Sequence, residues 1–253
     1  MANSVLIKSS IAKKWWMALT GLFLCTFLVG HLAGNLQLLI SDPTHAAESF
    51  NAYAQFMTTN PLVKILSYVT YFSILFHAID GIMLVMANRA ARPQRYAHEK
   101  ASTSSVWASR NMGILGTAML AFIIIHMSDF WFEMHFEMKP TFKLDNGNEV
   151  KDLYLEVVEA FHSFPYMLLY VLCMIPIGFH LYHGFQSAFR TLGLIHENLT
   201  LLVKRVGVIF SIVVPMAFAI IPLYVYHFIP SAEEIQKMDS YKAKSTLIEV
   251  END

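Results

Sequence analysis

Residues 161–189 have the sequence FHSFPYMLLYVLCMIPIGFHLYHGFQSAF, which contains no Asp, Glu, Lys or Arg. A helix of this length, rising 1.5 Å per residue, is long enough to cross the ~30 Å hydrocarbon layer of a bilayer. Lipid cannot hydrogen-bond the backbone, so a crossing segment must satisfy its own amides and carbonyls as a helix. This stretch therefore predicts a transmembrane helix.

Four further apolar stretches of similar length lie at 15–40, 62–87, 106–132 and 206–229. The composition agrees, because the chain is 55% hydrophobic and 15% charged, whereas soluble domains carry about 25% charged residues. We expect an all-α integral membrane protein, surrounded by membrane lipid, with five transmembrane helices in one membrane domain. The net charge of -1, without a basic face, argues against a nucleic-acid partner.

The segments between these stretches give weaker signals. Asp42 followed by Pro43 is typical of a helix start, and the spacing of apolar residues after it predicts an amphipathic surface helix at 43–60. Residues 230–253 are expected to form a solvated outer tail.

The distribution of basic residues predicts the orientation. If the N-terminus is cytoplasmic, the inner segments hold 11 Lys and Arg residues and the outer segments hold 7. The positive-inside rule then favors an N-terminus in the cytoplasm and a C-terminus outside. The first apolar stretch is also too long for a cleaved signal peptide, so we expect it to be retained as a span.

The histidines carry the functional signal. Four of the 11 histidines, one in each of four spans, lie well inside apolar sequence: His31, His77, His126 and His183. A lone intramembrane histidine can be a packing residue that hydrogen-bonds to a neighboring helix, but four of them require a joint explanation. Because successive spans run in opposite directions, His31 and His126 approach the outer surface, whereas His77 and His183 approach the inner one. Two pairs predict two sites.

Paired imidazoles from different helices of a bundle suit the two axial positions of a heme iron. Zinc would need more ligands in one place, and a proton relay would need carboxylates, of which Asp80 is expected to be the only one well inside a span. No C-x-x-C-H motif is present, so a heme would be held without covalent attachment. His180 could take the place of His183, since three residues separate them on one helix face.

Three motifs carry a resemblance to a known family: HGFQSAFRTLGL at 183–194, VGHLAGN at 29–35 and FHAIDG at 76–81. In order and spacing they resemble the cytochrome b subunit of succinate:quinone oxidoreductases, of the five-helix, di-heme type that anchors the complex in the bacterial cytoplasmic membrane. The resemblance implies a heme-binding four-helix bundle plus a fifth helix.

By the same resemblance, His77 and His183 would ligate an inner heme b, and His31 and His126 an outer heme b. The partners implied are a flavoprotein subunit with covalent FAD and an iron–sulfur subunit, both docked on the cytoplasmic face. Electrons from succinate would pass through the clusters and the two hemes to a quinone, or in reverse during fumarate reduction. The quinone reaction would occur in this chain, and menaquinone is the quinone expected.

The quinone site is predicted near the outer surface, where five polar residues are candidates to bind a carbonyl or relay a proton: Asn35, Gln37, His45, Glu48 and His162. Glycines beside three of the four histidines, Gly34 among them, would allow close approach of a macrocycle or a backbone. Two alternatives stay open. The chain could be the di-heme anchor of another respiratory dehydrogenase, or a heme-free transporter or assembly protein whose histidines are structural.

Overall fold

The computed structural model describes residues 10–91, 107–136 and 139–246. Its helices are α1 (Ser10–Asn35), α2 (Pro43–Thr59), α3 (Pro61–Ala90), α4 (Trp107–Arg110), α5 (Met112–His126), α6 (Glu133–Phe136), α7 (Leu153–His162), α8 (Phe164–Thr191), α9 (Glu197–Phe228), α10 (Ala232–Lys237) and α11 (Asp239–Lys242). A 3-10 turn, Leu36–Leu39, follows α1, and a π-helical segment, Met127–Phe132, joins α5 to α6. Four basic residues used to predict the orientation lie outside the described residues: Lys8, Arg92, Arg95 and Lys100.

Five helices of the described chain are long and apolar enough to cross a membrane: Ile11–Leu39, Pro61–Ala90, Met112–Phe136, Phe164–Thr191 and Leu199–Phe228. They present large apolar side chains outward, such as Phe72, which is 60% exposed, and Ile209, which is 61% exposed. Water would make so large an exposed apolar surface costly, whereas lipid does not. The predicted class is confirmed: the chain is an all-α integral membrane protein with several spans.

Single polar residues set several helix boundaries. The Asp42 side chain accepts a hydrogen bond from the His45 amide at 2.7 Å and caps α2, whose first residue is Pro43. Asn60 alone separates α2 from α3, and its side-chain oxygen accepts from the backbone amide of Leu62 at 3.0 Å. Such caps satisfy amides that the first helical turn leaves unpaired. The surface helix predicted at 43–60 thus corresponds to α2.

The segments between the spans fold into a packed cap, which comprises α2, residues 139–162 and residues 231–246. Short strands β1 (Thr141–Lys143), β2 (Glu149–Lys151) and β3 (Ser245–Thr246) form an antiparallel sheet with β1 in the center. The turn between β1 and β2 contains Gly147 at φ +86°, a backbone conformation that favors glycine. The cap core includes fully buried Phe142, Tyr154 and Val158.

A buried carboxylate joins three parts of the cap. Asp152 caps α7 by accepting from the Leu155 amide at 3.2 Å, and it also accepts from the Asn51 side-chain amide at 2.9 Å and the Tyr241 hydroxyl at 2.5 Å. Asn51 in turn accepts from the Tyr154 amide at 3.0 Å. Burial raises the pKa of Asp152, although these hydrogen bonds act in the opposite direction.

The prediction of a solvated tail is wrong for residues 231–246. Helices α10 and α11 pack onto the cap, and Ile235 and Tyr241 are completely buried there. The Ser231 side chain caps α10 in a capping box with Glu234. A good helix start followed by two apolar side chains is enough to hold this short segment once other parts of the cap offer a core. Residues 247–253 lie outside the described residues.

The chain divides into two compact units. The described residues among 1–29, 66–121 and 175–215 form the first unit, and those among 30–65, 122–174 and 216–253 form the second. Each spanning helix contributes one portion to each unit. The cap belongs to the second unit.

Candidate functional site

The second unit brings together the two histidines predicted to form one pair. His31 lies near the end of α1, and His126 is the last residue of α5. Their ring centers are 5.6 Å apart, with the ring planes at 80°. Aromatic side chains from three helical segments surround them, with ring centers within 6 Å of one imidazole or the other: Phe122, Phe130 and Phe218. Much of the surroundings of the pair is therefore aromatic.

In the first unit the ring that faces His77 is that of His180. The two ring centers are 6.1 Å apart, with the planes at 59°. His183, the residue predicted for this position, lies three residues further along α8 and is half-buried. The Nδ1 atom of His180 is buried and has no hydrogen-bond partner. A buried nitrogen without a partner costs free energy. The contacts within the polypeptide do not explain why a histidine stands at position 180.

The hydroxyl of Thr20 lies close to one nitrogen of His77. Thr20 has the carbonyl of Trp16 at 2.7 Å and that of Met17 at 3.3 Å as acceptors for its single hydroxyl proton. With the proton on a carbonyl, the Thr20 oxygen accepts from His77 Nδ1, 3.2 Å away. In that tautomer Nε2 of His77 keeps the lone pair that a metal would need.

Two glycines permit close approaches, in different ways. A Cβ at Gly21 would lie 3.2 Å from Cε1 of His77, so glycine allows α1 to pass close to the imidazole. A Cβ at Gly34 would overlap the ring of Tyr53, whose hydroxyl donates to the Gly30 carbonyl at 3.0 Å. Gly34 therefore accommodates a side chain of α2, and Gly21, which the sequence analysis did not single out, adjoins a histidine.

Two of the quinone candidates hydrogen-bond within their own helical segment. The side-chain amide of Asn35 donates to the His31 carbonyl at 2.8 Å and lies 3.5 Å from His31 Nδ1. The side-chain amide of Gln37 donates to the Gly34 carbonyl at 3.2 Å. Asn35 is thus the only one of the five candidates whose hydrogen bonds in the described chain reach a histidine of either pair.

The other three candidates belong to the cap and line two separate cavities. His45 and Glu48 line a cavity of about 350 Å³, and Glu48 pairs with Lys244 at 3.0 Å. The residues that line this cavity are all polar, whereas a quinone ring requires apolar walls. His162 lines a different cavity of about 300 Å³ and hydrogen-bonds through Nε2 to the Ile229 carbonyl at 3.1 Å.

A polar group beside the second-unit pair was missed at the sequence level. Asp129 lies inside the third spanning helix, because that helix continues through the π-helical segment to Phe136. The expectation that Asp80 is the only carboxylate well inside a span is therefore wrong. Asp129 accepts a very short hydrogen bond from the Tyr166 hydroxyl, and the placement of Asp129 one helical turn after His126 was the signal available in the sequence.

The two pairs fit the axial positions of heme. Among residues 10–91, 107–136 and 139–246, no group of three or more His, Cys, Asp or Glu side chains is placed to hold a metal ion, but a heme iron needs only two nitrogens from the protein. If each nitrogen lies about 2.0 Å from the metal and about 1.1 Å from its ring center, the two centers are about 6.2 Å apart. The observed 6.1 Å between His77 and His180 agrees with this spacing, and the 5.6 Å between His31 and His126 is shorter than it.

Known proteins give no independent guide to this chain. No protein-family model matches it, and no curated protein or solved structure is significantly similar to it.

Proposed function

We propose that the chain is the di-heme cytochrome b subunit of a succinate:quinone oxidoreductase, which anchors the complex and carries electrons between an iron–sulfur subunit and a quinone. The observation that supports this most strongly is the presence of two facing imidazole pairs, one in each compact unit, at spacings suited to one iron each. The motifs around His31, His77 and His183 direct the proposal to this family.

Proton positions give further support. With the Thr20 proton on the Trp16 carbonyl, His77 donates from Nδ1 to Thr20, and Nε2 is then available as a ligand. Bound heme would supply a one-electron carrier at each pair. The chain itself contributes the two nitrogens, and at the second pair aromatic side chains that exclude water and hold the imidazoles in place.

For the first pair we propose His77 and His180 as the ligands in place of His77 and His183. The ring of His180 faces His77, and its Nδ1 has no other partner. Iron binding through Nε2 would still leave Nδ1 unpaired, so the spacing of the two rings is the main support for this choice. His183 would then be a neighboring side chain without a bond to iron.

A heme count on purified variants tests the proposal. Pyridine-hemochrome analysis should give two b hemes per chain for the wild type and one for His31→Ala, His126→Ala or His77→Ala. His180→Ala should lose one heme while His183→Ala keeps both, and the reverse result would restore the sequence-based assignment. The exposed His227 supplies a matched control, because His227→Ala should keep both hemes. A folded, colorless wild-type protein purified from heme-replete cells would refute the proposal.

The partner subunits decide between this proposal and an anchor of another respiratory dehydrogenase. We expect a tagged chain, extracted gently from bacterial cytoplasmic membranes, to carry with it a flavoprotein with covalent FAD and an iron–sulfur protein, and to catalyze succinate-dependent reduction of a menaquinone analog. Co-purification with a formate- or hydrogen-oxidizing subunit would refute the choice of enzyme but not the heme assignment.

The proposed orientation places the N-terminus in the cytoplasm and the cap on the outer side. Basic residues of the described chain that would then be cytoplasmic include Lys13, Arg89 and Lys204. A reporter that is active only outside the cytoplasm, fused after residue 253, should be active. The same reporter fused within residues 92–106 should be inactive.

A further inference from the structure

We propose that Tyr170, Tyr166 and Asp129 are positioning residues: they hold His126 through a directed chain of hydrogen bonds and thereby lower the reduction potential of the heme that His126 ligates. The inference rests on the proposed function, because it assumes that His126 binds iron. It assigns a role to three polar side chains of the spanning helices that the proposed function leaves without one.

The chain of contacts is continuous and lies entirely within the second unit. His126 Nδ1 is 3.4 Å from the Tyr170 hydroxyl, at the long end of the hydrogen-bond range. The Tyr170 hydroxyl is 2.9 Å from the Tyr166 hydroxyl, one turn earlier on α8. Tyr166 donates to the carboxylate of Asp129 in a bond shorter than an ordinary one. Buried polar groups in lipid require such partners.

The carboxylate fixes the direction of every bond in the chain. The Tyr166 hydroxyl donates its single proton to a carboxylate oxygen of Asp129. Tyr166 must therefore accept from Tyr170, and Tyr170 has no proton left for the histidine. His126 is then the donor through Nδ1–H, which leaves Nε2 unprotonated and available to iron. Because each hydroxyl has one proton to donate, this chain of hydrogen bonds gives His126 the Nδ1–H tautomer that iron ligation through Nε2 requires.

The π-helical segment helps to place the carboxylate. This segment begins directly after His126 and contains Asp129. Single π-helical turns inside α-helices are rare and occur frequently at functional sites. Here the segment lies between the histidine and the end of its hydrogen-bond chain, so that one stretch of the third spanning helix supplies both ends of the chain.

His77 and His126, each with a hydroxyl near Nδ1, differ in the group at the far end of the hydrogen-bond chain. The chain from His77 passes through Thr20 to a backbone carbonyl, which is neutral. The chain from His126 ends on a carboxylate, and charge-assisted hydrogen bonds are stronger than neutral ones. Stronger acceptance of the Nδ1 proton makes the imidazole a more basic ligand. A more basic ligand stabilizes the ferric over the ferrous state, so the potential of this heme is lowered.

The test is a potentiometric titration of heme absorbance in the His77→Ala background, in which only the His126 heme should remain. Tyr170→Phe should raise the midpoint potential by roughly 59 mV, the equivalent of a tenfold change in the ratio of reduced to oxidized heme. Tyr166→Phe and Asp129→Asn should raise it by smaller amounts, because they act one and two bonds further away. Asp129→Glu should restore part of the wild-type value.

The matched control is Tyr154→Phe. Tyr154 is a buried tyrosine of the same unit, but its hydroxyl has no hydrogen-bond partner, so its removal should leave the potential unchanged. If Tyr170→Phe loses heme, the Tyr166 and Asp129 variants, which leave the bond to His126 in place, decide the question. A retained His126 heme with an unchanged potential in these variants would overturn the inference alone, whereas absence of heme from the wild type would overturn the proposed function.

Discussion

Removal of the carboxylate of Asp152 tests how the cap is held together. The Asp152→Ala variant loses the N-cap of α7 and leaves two buried donors, the Asn51 amide and the Tyr241 hydroxyl, without their acceptor. These donors lie on α2 and α11, which are far apart in sequence. The substitution therefore affects three segments of the cap together and leaves the spanning helices in place.

The expected cost follows from these lost contacts. Loss of a helix N-cap costs about 1 kcal/mol, and each stranded buried donor costs about 1–3 kcal/mol. At the low end of these ranges, the lost contacts together cost about 3 kcal/mol. We expect this cost to exceed any gain from removing a buried charge, so the free energy of cap opening falls. Since about 1.4 kcal/mol corresponds to a factor of ten, protection of the Tyr154 amide against hydrogen exchange should fall by more than 100-fold.

Hydrogen exchange followed by mass spectrometry on the detergent-solubilized protein measures this loss peptide by peptide. The control is Glu233→Ala, which removes an exposed carboxylate of the same cap from an ion pair at 2.5 Å with Lys237; exposed pairs contribute little. The reasoning fails if Asp152→Ala changes exchange in the cap no more than Glu233→Ala does. It also fails if the loss is confined to α7 and does not reach α2 and α11.

Three further predictions follow from the same geometry. Burial raises the pKa of Asp152 in the folded cap. The contribution of Asp152 to stability is therefore largest at a pH below its pKa in the unfolded chain, and it is lost as the pH rises through its pKa in the folded chain. The difference in thermal stability between wild type and Asp152→Ala should widen as the pH is lowered from 7 toward 4. Gly34→Ala should displace the Tyr53 ring, break the Tyr53 bond to Gly30 and cost about 1–3 kcal/mol, more than the ~1 kcal/mol expected for Tyr53→Phe, as thermal unfolding will show. Gly21→Val should displace the adjacent imidazole of His77, so that a heme count gives one heme where Gly30→Ala, with open space at its Cβ, gives two.

The spans were predictable from sequence because lipid imposes one strong rule on every crossing segment. The cap was not, since its core is assembled from Phe142, Tyr154 and Tyr241, which lie on three short segments far apart in the chain. Strand β1, which carries Phe142, and helix α11, which carries Tyr241, are too short to show a period. The tail after residue 230 was misjudged for the same reason: its two buried side chains acquire a core only from partners elsewhere in the sequence.

The site shows the same limit at a finer scale. His180 and His183 share a face of α8, and only the rotation of that helix against its neighbors decides which ring meets His77. Helical period identifies the face but not the angle. The hydroxyl groups that contact the histidines are harder still to predict from sequence, because each lies on a different helix from its histidine. Thr20 on α1 contacts His77 on α3. The contact of Tyr170 with His126 depends on where two antiparallel helices come into register. A histidine inside an apolar span indicates that a polar or metal partner lies nearby. The packing of separate helices decides which partner accepts the imidazole proton, and therefore which nitrogen is left for a metal. Residue spacing in the sequence does not predict this packing.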